Sequence, residues 1–323
     1  MARRYNDQEL ILLGVRMNKM QKTMTGLSAG LVLLGGLAAC SPLGALNALS
    51  PGRALKAEAG VAYGTNIRHK LDIYAPDDAK VTAPVVVFFY GGNWVRGERK
   101  DYAFIGRALA SRGFVVVIPD YRLYPEVKYP HFLDDSAQAV AWTVREIARY
   151  GGNAKQVYVM GHSAGAYNAA MVALDPSYLK KQGMTRSALR GWIGLAGPYD
   201  FMPIVNPTTR PVFHFPDTPT ASQPINHVSK DSPPALLIAA NRDELVNARR
   251  NTGGLAIKLR ANGVDVEEIY YDNVNHVTLV GTIAAPLRML APTLDVIENF
   301  IKTDAGRKPA VSGPGPVAAL PAQ

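Results

Sequence analysis

Three stretches of this chain carry unbroken apolar cores that end in glycine or a turn: APVVVFFYGG from Ala83, FVVVIPDYR from Phe114 and QVYVMG from Gln156. A strand that faces water on one side alternates polar and apolar residues, so runs without alternation mark strands buried on both faces. Helical patterns separate them. FIGRALASRG is stopped by Gly113. In the segment from Phe132 to Gly152, Phe132, Leu133, Ala137, Val140, Ala141, Val144, Ile147 and Ala148 recur at helical spacing. HKLDIYAP, from His69, reads as an edge strand. GWIGLAG, PALLIAANRDE and VEEIYYDN read as further strands, with a helix in NTGGLAIKLRANG between the last two. Strands alternating with helices predict an α/β fold, a mostly parallel central sheet with helices on both faces.

The ends have a different character. Residues 1–39 carry Arg3, Arg4, Arg16, Lys19 and Lys22 against Asp7 and Glu9, followed by the apolar stretch GLSAGLVLLGGLAA and then Cys40, the one cysteine of the chain. A basic segment, an apolar core and small residues before a cleavage point form the layout of a secretory signal. The Leu37–Cys40 sequence LAAC resembles a bacterial lipobox, which implies lipidation of Cys40 and a membrane-anchored location in the cell envelope. Ser41, where an aspartate would favour the inner membrane, points to the outer one. Residues 40–60 are then expected to form a flexible tether, 61–305 the folded domain, and the Pro/Gly/Ala-rich residues 306–323 a disordered tail. Within the domain, residues 198–232 are proline-rich and aperiodic, as expected of a small cap. The formal charge of +9 lies partly in the leader. No basic block is interleaved with aromatics, which excludes a nucleic-acid footprint as the leading reading.

Chemistry concentrates at Gly161-His162-Ser163-Ala164-Gly165, a G-x-S-x-G between an apolar strand and a small-residue helix. This is the context of a nucleophile elbow, a sharp turn that lifts a serine hydroxyl clear of the sheet. Serine is a poor nucleophile without a base. Of six histidines, His276 follows the last strand pattern and a loop, which fits the serine, acid, histidine chain order of such sheets. His69 and His131 precede the serine, His162 sits beside it with its side chain projecting away, and His214 and His227 fall in the cap. The acid is expected just after ALLIAA: Asp243 is the better candidate, Glu244 the alternate, and Asp272 reads as a turn residue. The N–H of Ala164 and the loop Tyr90-Gly91-Gly92-Asn93-Trp94 are the candidate oxyanion donors. Trp94, Phe201, Phe213 and Phe215 either line an acyl pocket for small or medium groups or pack the cap. No H-e-x-x-h pattern or cluster of ligand residues is present, so neither a metal nor another cofactor is expected.

Together these residues resemble the α/β-hydrolase superfamily, in particular carboxylesterases related to hormone-sensitive lipase and the BD-FAE-like esterases. YGGNW stands for the H-G-G-x-W motif, and DYRLYP, YGGNAKQVYVMGHSAGA and NRDELV follow in the family's order over roughly Val61 to Lys302. The resemblance implies a Ser163–Asp243–His276 triad, an oxyanion hole at Gly91, Gly92, Asn93 and Ala164, and hydrolysis of a small-molecule carboxylic ester through an acyl-enzyme. One departure is Tyr90 in place of the motif's histidine, although a tyrosine hydroxyl can also brace a loop. Prenylcysteine methylesterases and kynurenine formamidases share the layout, so an amidase of the formamidase kind is an alternative activity. A non-catalytic envelope binding protein on the same scaffold is the alternative from another class.

Overall fold

The uninterrupted apolar runs occupy the middle of one eight-stranded sheet. The structure is a computed structural model describing residues 42–50, 55–78 and 82–305. The strands are β1 (Leu55–Ala62), β2 (Lys70–Pro76), β3 (Ala83–Phe89), β4 (Val115–Pro119), β5 (Gly152–His162), β6 (Gly191–Leu195), β7 (Ala235–Ala240) and β8 (Val266–Tyr271). They lie in the order β1-β2-β4-β3-β5-β6-β7-β8. The β1–β2 and β2–β4 pairs are antiparallel and every later pair is parallel. In β3, Val85 through Phe89 are fully buried; each such side chain removed from water contributes about 1.5–3 kcal/mol before entropy is counted.

The helices are α1 (Pro42–Leu49), α2 (Ala103–Ala110), α3 (His131–Glu146), α4 (Ala164–Leu174), α5 (Pro176–Lys181), α6 (Gly254–Ala261), α7 (His276–Gly281) and α8 (Thr293–Ala305). Two units divide the chain at Ala48/Leu49. In the first, the described residues form most of the short α1, none of whose residues is buried. The second holds the sheet. Helix α4 is buried along its whole length, which its alanines permit by keeping the helix thin enough to pack closely.

Two expectations about the amino-terminal part are corrected. HKLDIYAP is not the edge of the sheet, because β1 lies outside it and pairs with it from Leu55 to Ala62. The folded region therefore begins before residue 61 and takes in part of the expected tether, the rest of which is partly helical in α1. LKAEAGVA mixes charge and small residues because an edge strand has solvent on one flank, and a break in register between Glu58 and Val61, where Gly60 adopts φ 74°, interrupts its alternation. The signal segment, Cys40 and the tail from residue 306 lie outside the described residues. No helix among the described residues is long and apolar enough to cross a membrane.

Between β6 and β7 the chain forms no strand and no long helix, only turns of tight helix at Arg210–Phe213, Thr220–Ser222 and Pro224–His227. This cap is tied down by polar contacts. Asn251 accepts from the Tyr199 and Asp200 amides at 2.6 and 2.8 Å, Gln223 accepts from the Phe201 amide at 2.8 Å, and the Tyr167 hydroxyl of α4 donates to the Ser222 carbonyl at 2.8 Å. The carboxyl ends of the parallel strands β3, β5, β7 and β8 open on one side of the sheet, which is where ligand crevices form in sheets of this kind.

Candidate active site

Strand β5 ends at His162, and Ser163 turns the chain into α4 with φ 55° and ψ −121°. A residue with a Cβ is strained in this region, and the surroundings over-determine it. A Cβ on Gly161 would lie 2.1 Å from the Gly165 carbonyl oxygen, and one on Gly165 would lie 2.0 Å from that of Phe89. Both positions are closed to any side chain, which explains the two glycines of the motif. The Ser163 amide donates to the Leu195 carbonyl at 2.9 Å, pinning the corner to β6. Its hydroxyl is thereby held at the amino terminus of α4, where the helix dipole favours negative charge.

The loops after β7 and β8 bring the other two side chains to that hydroxyl. The Oγ of Ser163 lies 2.8 Å from Nε2 of His276, and Nδ1 of His276 lies 2.7 Å from Oδ2 of Asp243. A carboxylate only accepts, so Nδ1 carries the proton and Nε2 presents a lone pair to the serine. The remaining Asp243 oxygen accepts from the Leu245 and Val246 amides at 2.9 and 2.8 Å. His276 opens α7 and is capped by Asn275, whose side chain accepts from the Val277 and Thr278 amides. Ser163 and His276 are buried to 9% and 6% exposure. Such a line of groups can move a proton off the serine and hold the imidazolium that results.

The competing residues fall elsewhere. Glu244 is exposed, and Asp272 accepts from the Asn241 side chain at 2.8 Å. His69 packs against Asp135, His131 pairs with Asp134 on the surface, and His214 and His227 reach the carbonyls of Tyr129 and Ala221. Only His162 comes near the site, with its ring centroid 5.0 Å from that of His276. Burial, and after it the neighbouring His276, pushes its pKa down to about 3, so the ring is neutral. Among the described residues no three metal-ligating side chains gather into a set that could hold an ion.

The loop after β3 passes directly over the serine. A Cβ on Gly91 would approach the Ser163 Cβ to 3.1 Å, and one on Gly92, with φ 130°, would lie 2.2 Å from the Arg96 carbonyl oxygen. Asn93 and Trp94 follow with φ 56° and 59°. That strain is held by packing and hydrogen bonds: the buried Trp94 donates from Nε1 to Asn168 at 2.9 Å. At the other end of the loop, the Tyr90 hydroxyl donates to Asp120 and accepts from Arg68, both at 2.9 Å. Its ring stacks between Tyr102 and Tyr121. Tyr90 is thus fixed in a buried position at the start of the loop by its hydroxyl and its stacked ring.

A family model matches residues 71–253, more than half of the chain, and its description is BD-FAE. The chain belongs to the BD-FAE family. Among curated relatives, a probable isoprenylcysteine alpha-carbonyl methylesterase of Oryza sativa subsp. japonica is 35% identical over 150 residues, 45% of this chain and 36% of the relative. The probable carboxylic ester hydrolase LipM of Mycobacterium tuberculosis is 28% identical over 281 residues, 81% of this chain and 64% of its own. The matches to these relatives thus span less than two thirds of their lengths. A solved hyperthermophilic esterase from Pyrobaculum calidifontis superposes with a TM-score of 0.64 at 23% identity, covering 80% of this chain and 89% of that one. At that identity the likeness establishes the α/β-hydrolase fold.

In this BD-FAE member a cavity of about 130 Å³ opens beside the serine, lined by Asn93, Trp94, Ser163, Ala164 and His276 on the sheet side and by Phe201, Ile204, Val205, Asn206 and Thr209 from the cap. Trp94 and Phe201 lie where an acyl pocket was expected. Phe213 and Phe215 do not line it, which for these two residues leaves the other expected reading, packing of the cap. Phe213 is buried behind the cavity, edge-on to Trp94, Tyr167 and Phe201 at 4.8, 5.4 and 5.3 Å between ring centres. Phe215 is 44% exposed, with the Arg210 guanidinium 4.5 Å over its ring. Leu245 and Val246, with Pro198, complete the wall. The position of Leu245 and Val246 straight after Asp243 was a usable signal: the amides that hold the carboxylate carry side chains to the cavity mouth. Ile204, Val205, Asn206 and Thr209 gave none, because aperiodic sequence does not say which side chains turn inward.

Proposed function

We propose that this protein is a serine hydrolase of small carboxylic esters, acting through an acyl-enzyme. The observation that carries the reading is the continuous hydrogen-bonded line from Asp243 through His276 to Ser163, ending in the cavity beside Ala164 and Asn93. Ser163 Oγ attacks the acyl carbon as its proton passes to Nε2 of His276, and the carbonyl becomes an oxyanion facing the Ala164 amide and the amides of the Gly92–Asn93 turn. The ester C–O bond then breaks as His276 returns the proton to the departing alkoxide. Water attacks the acyl-enzyme with His276 again taking a proton, and return of that proton to Ser163 releases the acid. The small cavity and its aromatic wall support short and medium acyl groups. The methylesterase and the carboxylic ester hydrolase among the relatives support the ester.

The test uses purified protein with p-nitrophenyl esters from acetate to octanoate, and with an aryl formamide. Wild type is expected to hydrolyse the shorter esters fastest, and Ser163→Ala to lower kcat at least about 10³-fold with an unchanged melting temperature. Retention of a tenth of the activity by Ser163→Ala removes the reading. A preference for the formamide moves the leaving group to an amine, and inactivity on every substrate leaves a binding scaffold. Attachment to a membrane through acyl chains on Cys40 is part of the same proposal, supported by the LAAC sequence. Intact mass of the membrane-extracted protein tests it, since a mature chain beginning at an unmodified residue would exclude the anchor.

A further inference from the structure

His162 is a buried titratable group beside the site that the proposed chemistry leaves unused. Its Nε2 lies 2.8 Å from the main-chain carbonyl oxygen of His276. A carbonyl only accepts, so Nε2 carries the proton and donates. Nδ1 is then a bare lone pair, and it has no hydrogen-bond partner among the described residues. A Cβ on Gly91 would come within 3.2 Å of that atom, so the ring fills the space between the loop after β3 and the start of α7. A buried acceptor without a donor costs stability. An aliphatic side chain would fill the same space without that cost, so the distinctive property of imidazole at this position is the donor on Nε2.

We infer that His162 is a positioning residue, tying the main chain of the catalytic base to the strand end that carries the nucleophile and so setting the distance between Ser163 and His276. This rests on the reading of Ser163 and His276 given above. The need for such a tie follows from how the base is held. His276 begins a helix of six residues that is anchored by the buried Val274, Leu279 and Val280 but exposed at Asp272, Asn273, Asn275 and Val277. Asp243 grips the imidazole at Nδ1, which fixes the ring's direction but makes no bond to the main chain behind it. The Asn275 cap is internal to the same turn and moves with it. His162 grips the carbonyl from another element, and it is the immediate neighbour of Ser163 on a corner locked by Gly161 and Gly165. The ruler therefore has one end rigidly attached to the nucleophile. The ring is neutral, so the donor form is present without placing a second positive charge 5.0 Å from the imidazolium that forms during attack.

Three variants separate the donor from the shape. His162→Gln places an amide nitrogen near the position of Nε2, whereas His162→Leu and His162→Met fill the space without a donor. With p-nitrophenyl butyrate, the Leu and Met variants are expected to lose about 10–100-fold in kcat with KM within about threefold, as a sub-ångström misplacement of a base would produce. The Gln variant is expected to stay within about threefold of wild type, and inactivation by an organophosphonate should follow kcat across the series. Circular dichroism and melting temperature identify which variants are folded, and either aliphatic variant suffices for the comparison with Gln. The inference is overturned if a folded Leu or Met variant keeps wild-type kcat. Equal losses in Gln and the aliphatic variants overturn it as well, because shape would then be the requirement. Ser163→Ala run alongside keeps the two readings apart: substantial activity there defeats the nucleophile assignment, whereas an inactive Ser163→Ala with an active His162→Leu defeats only the tie.

Discussion

The two halves of the candidate site are built in opposite ways. On the nucleophile side, Ser163 sits in a corner where two glycines pass within van der Waals contact of main chain and where three segments, β5, α4 and the loop after β3, leave no room for a Cβ. On the acid–base side, Asp243 and His276 stand on turns whose neighbours Arg242, Glu244, Leu245 and Val277 are exposed, and a few hydrogen bonds fix them. The first half is held by steric exclusion, which is stiff and intolerant. The second is held by directional bonds, each of modest net energy and each removable without unfolding the sheet. Substitutions at the glycines of the first half should therefore read out as folding, and those in the second half as rate.

The largest effect expected is at Gly165. A methyl group there would meet the Phe89 carbonyl at 2.0 Å, so Gly165→Ala should cost more than about 4 kcal/mol and give little folded protein by thermal melting or soluble yield. A folded and active Gly165→Ala enzyme would break the contrast. Next is Asp243→Asn, which keeps the shape but favours the wrong imidazole tautomer. It should lower kcat by about 10³–10⁴-fold with the melting temperature within a few degrees of wild type. A large loss of stability would move the acid to the steric half.

The third effect is a dependence of stability on pH. The pKa of His162 is pushed down to about 3 in the folded protein, while the unfolded chain binds a proton below about 6.5. Stability is therefore fully present above that upper value and is lost as pH falls from 6.5 towards 3, by on the order of a few kcal/mol in all. Urea midpoints measured between pH 7 and 4 should drop more steeply in wild type than in His162→Gln, and parallel curves would remove His162 as the cause. The smallest effect is expected from Tyr90→Phe. It removes the hydroxyl between Asp120 and Arg68 but leaves the stacked ring, so about 1–2 kcal/mol of stability and a fall in kcat of less than about tenfold are expected. A larger fall in kcat than in stability would show that the brace acts on the oxyanion loop itself.

Much of this could be read before any fold was known. The parallel strands announce themselves because both faces are covered, leaving Val85–Phe89 or Ala235–Ala240 with no polar position to break the run. The elbow is legible for the same local reason: a strand, a serine between glycines and an alanine helix are contiguous, and close contact among neighbours demands those residues. Strand β1 was not legible, because LKAEAGVA lies on the sheet edge and its pairing with β2 places few demands on its side chains. The cavity wall from the cap was equally hidden, and aromatic character misled at Phe213 and Phe215, which pack behind the cavity and on the surface.

By itself the sequence determined what short-range physics controls: which segments are buried strands, where the backbone must turn without a Cβ, and which serine that turn exposes. Tertiary structure alone decided the long-range matters. Among these are the carbonyl that His162 holds, the meeting of the Asp243 carboxylate with the His276 ring, and the cap residues that face the serine. The physical reason is that burial and backbone strain leave their mark on consecutive residues. A hydrogen bond between positions 162 and 276 leaves none, since the side chains that make it are chosen by a closeness that exists only after the chain has folded.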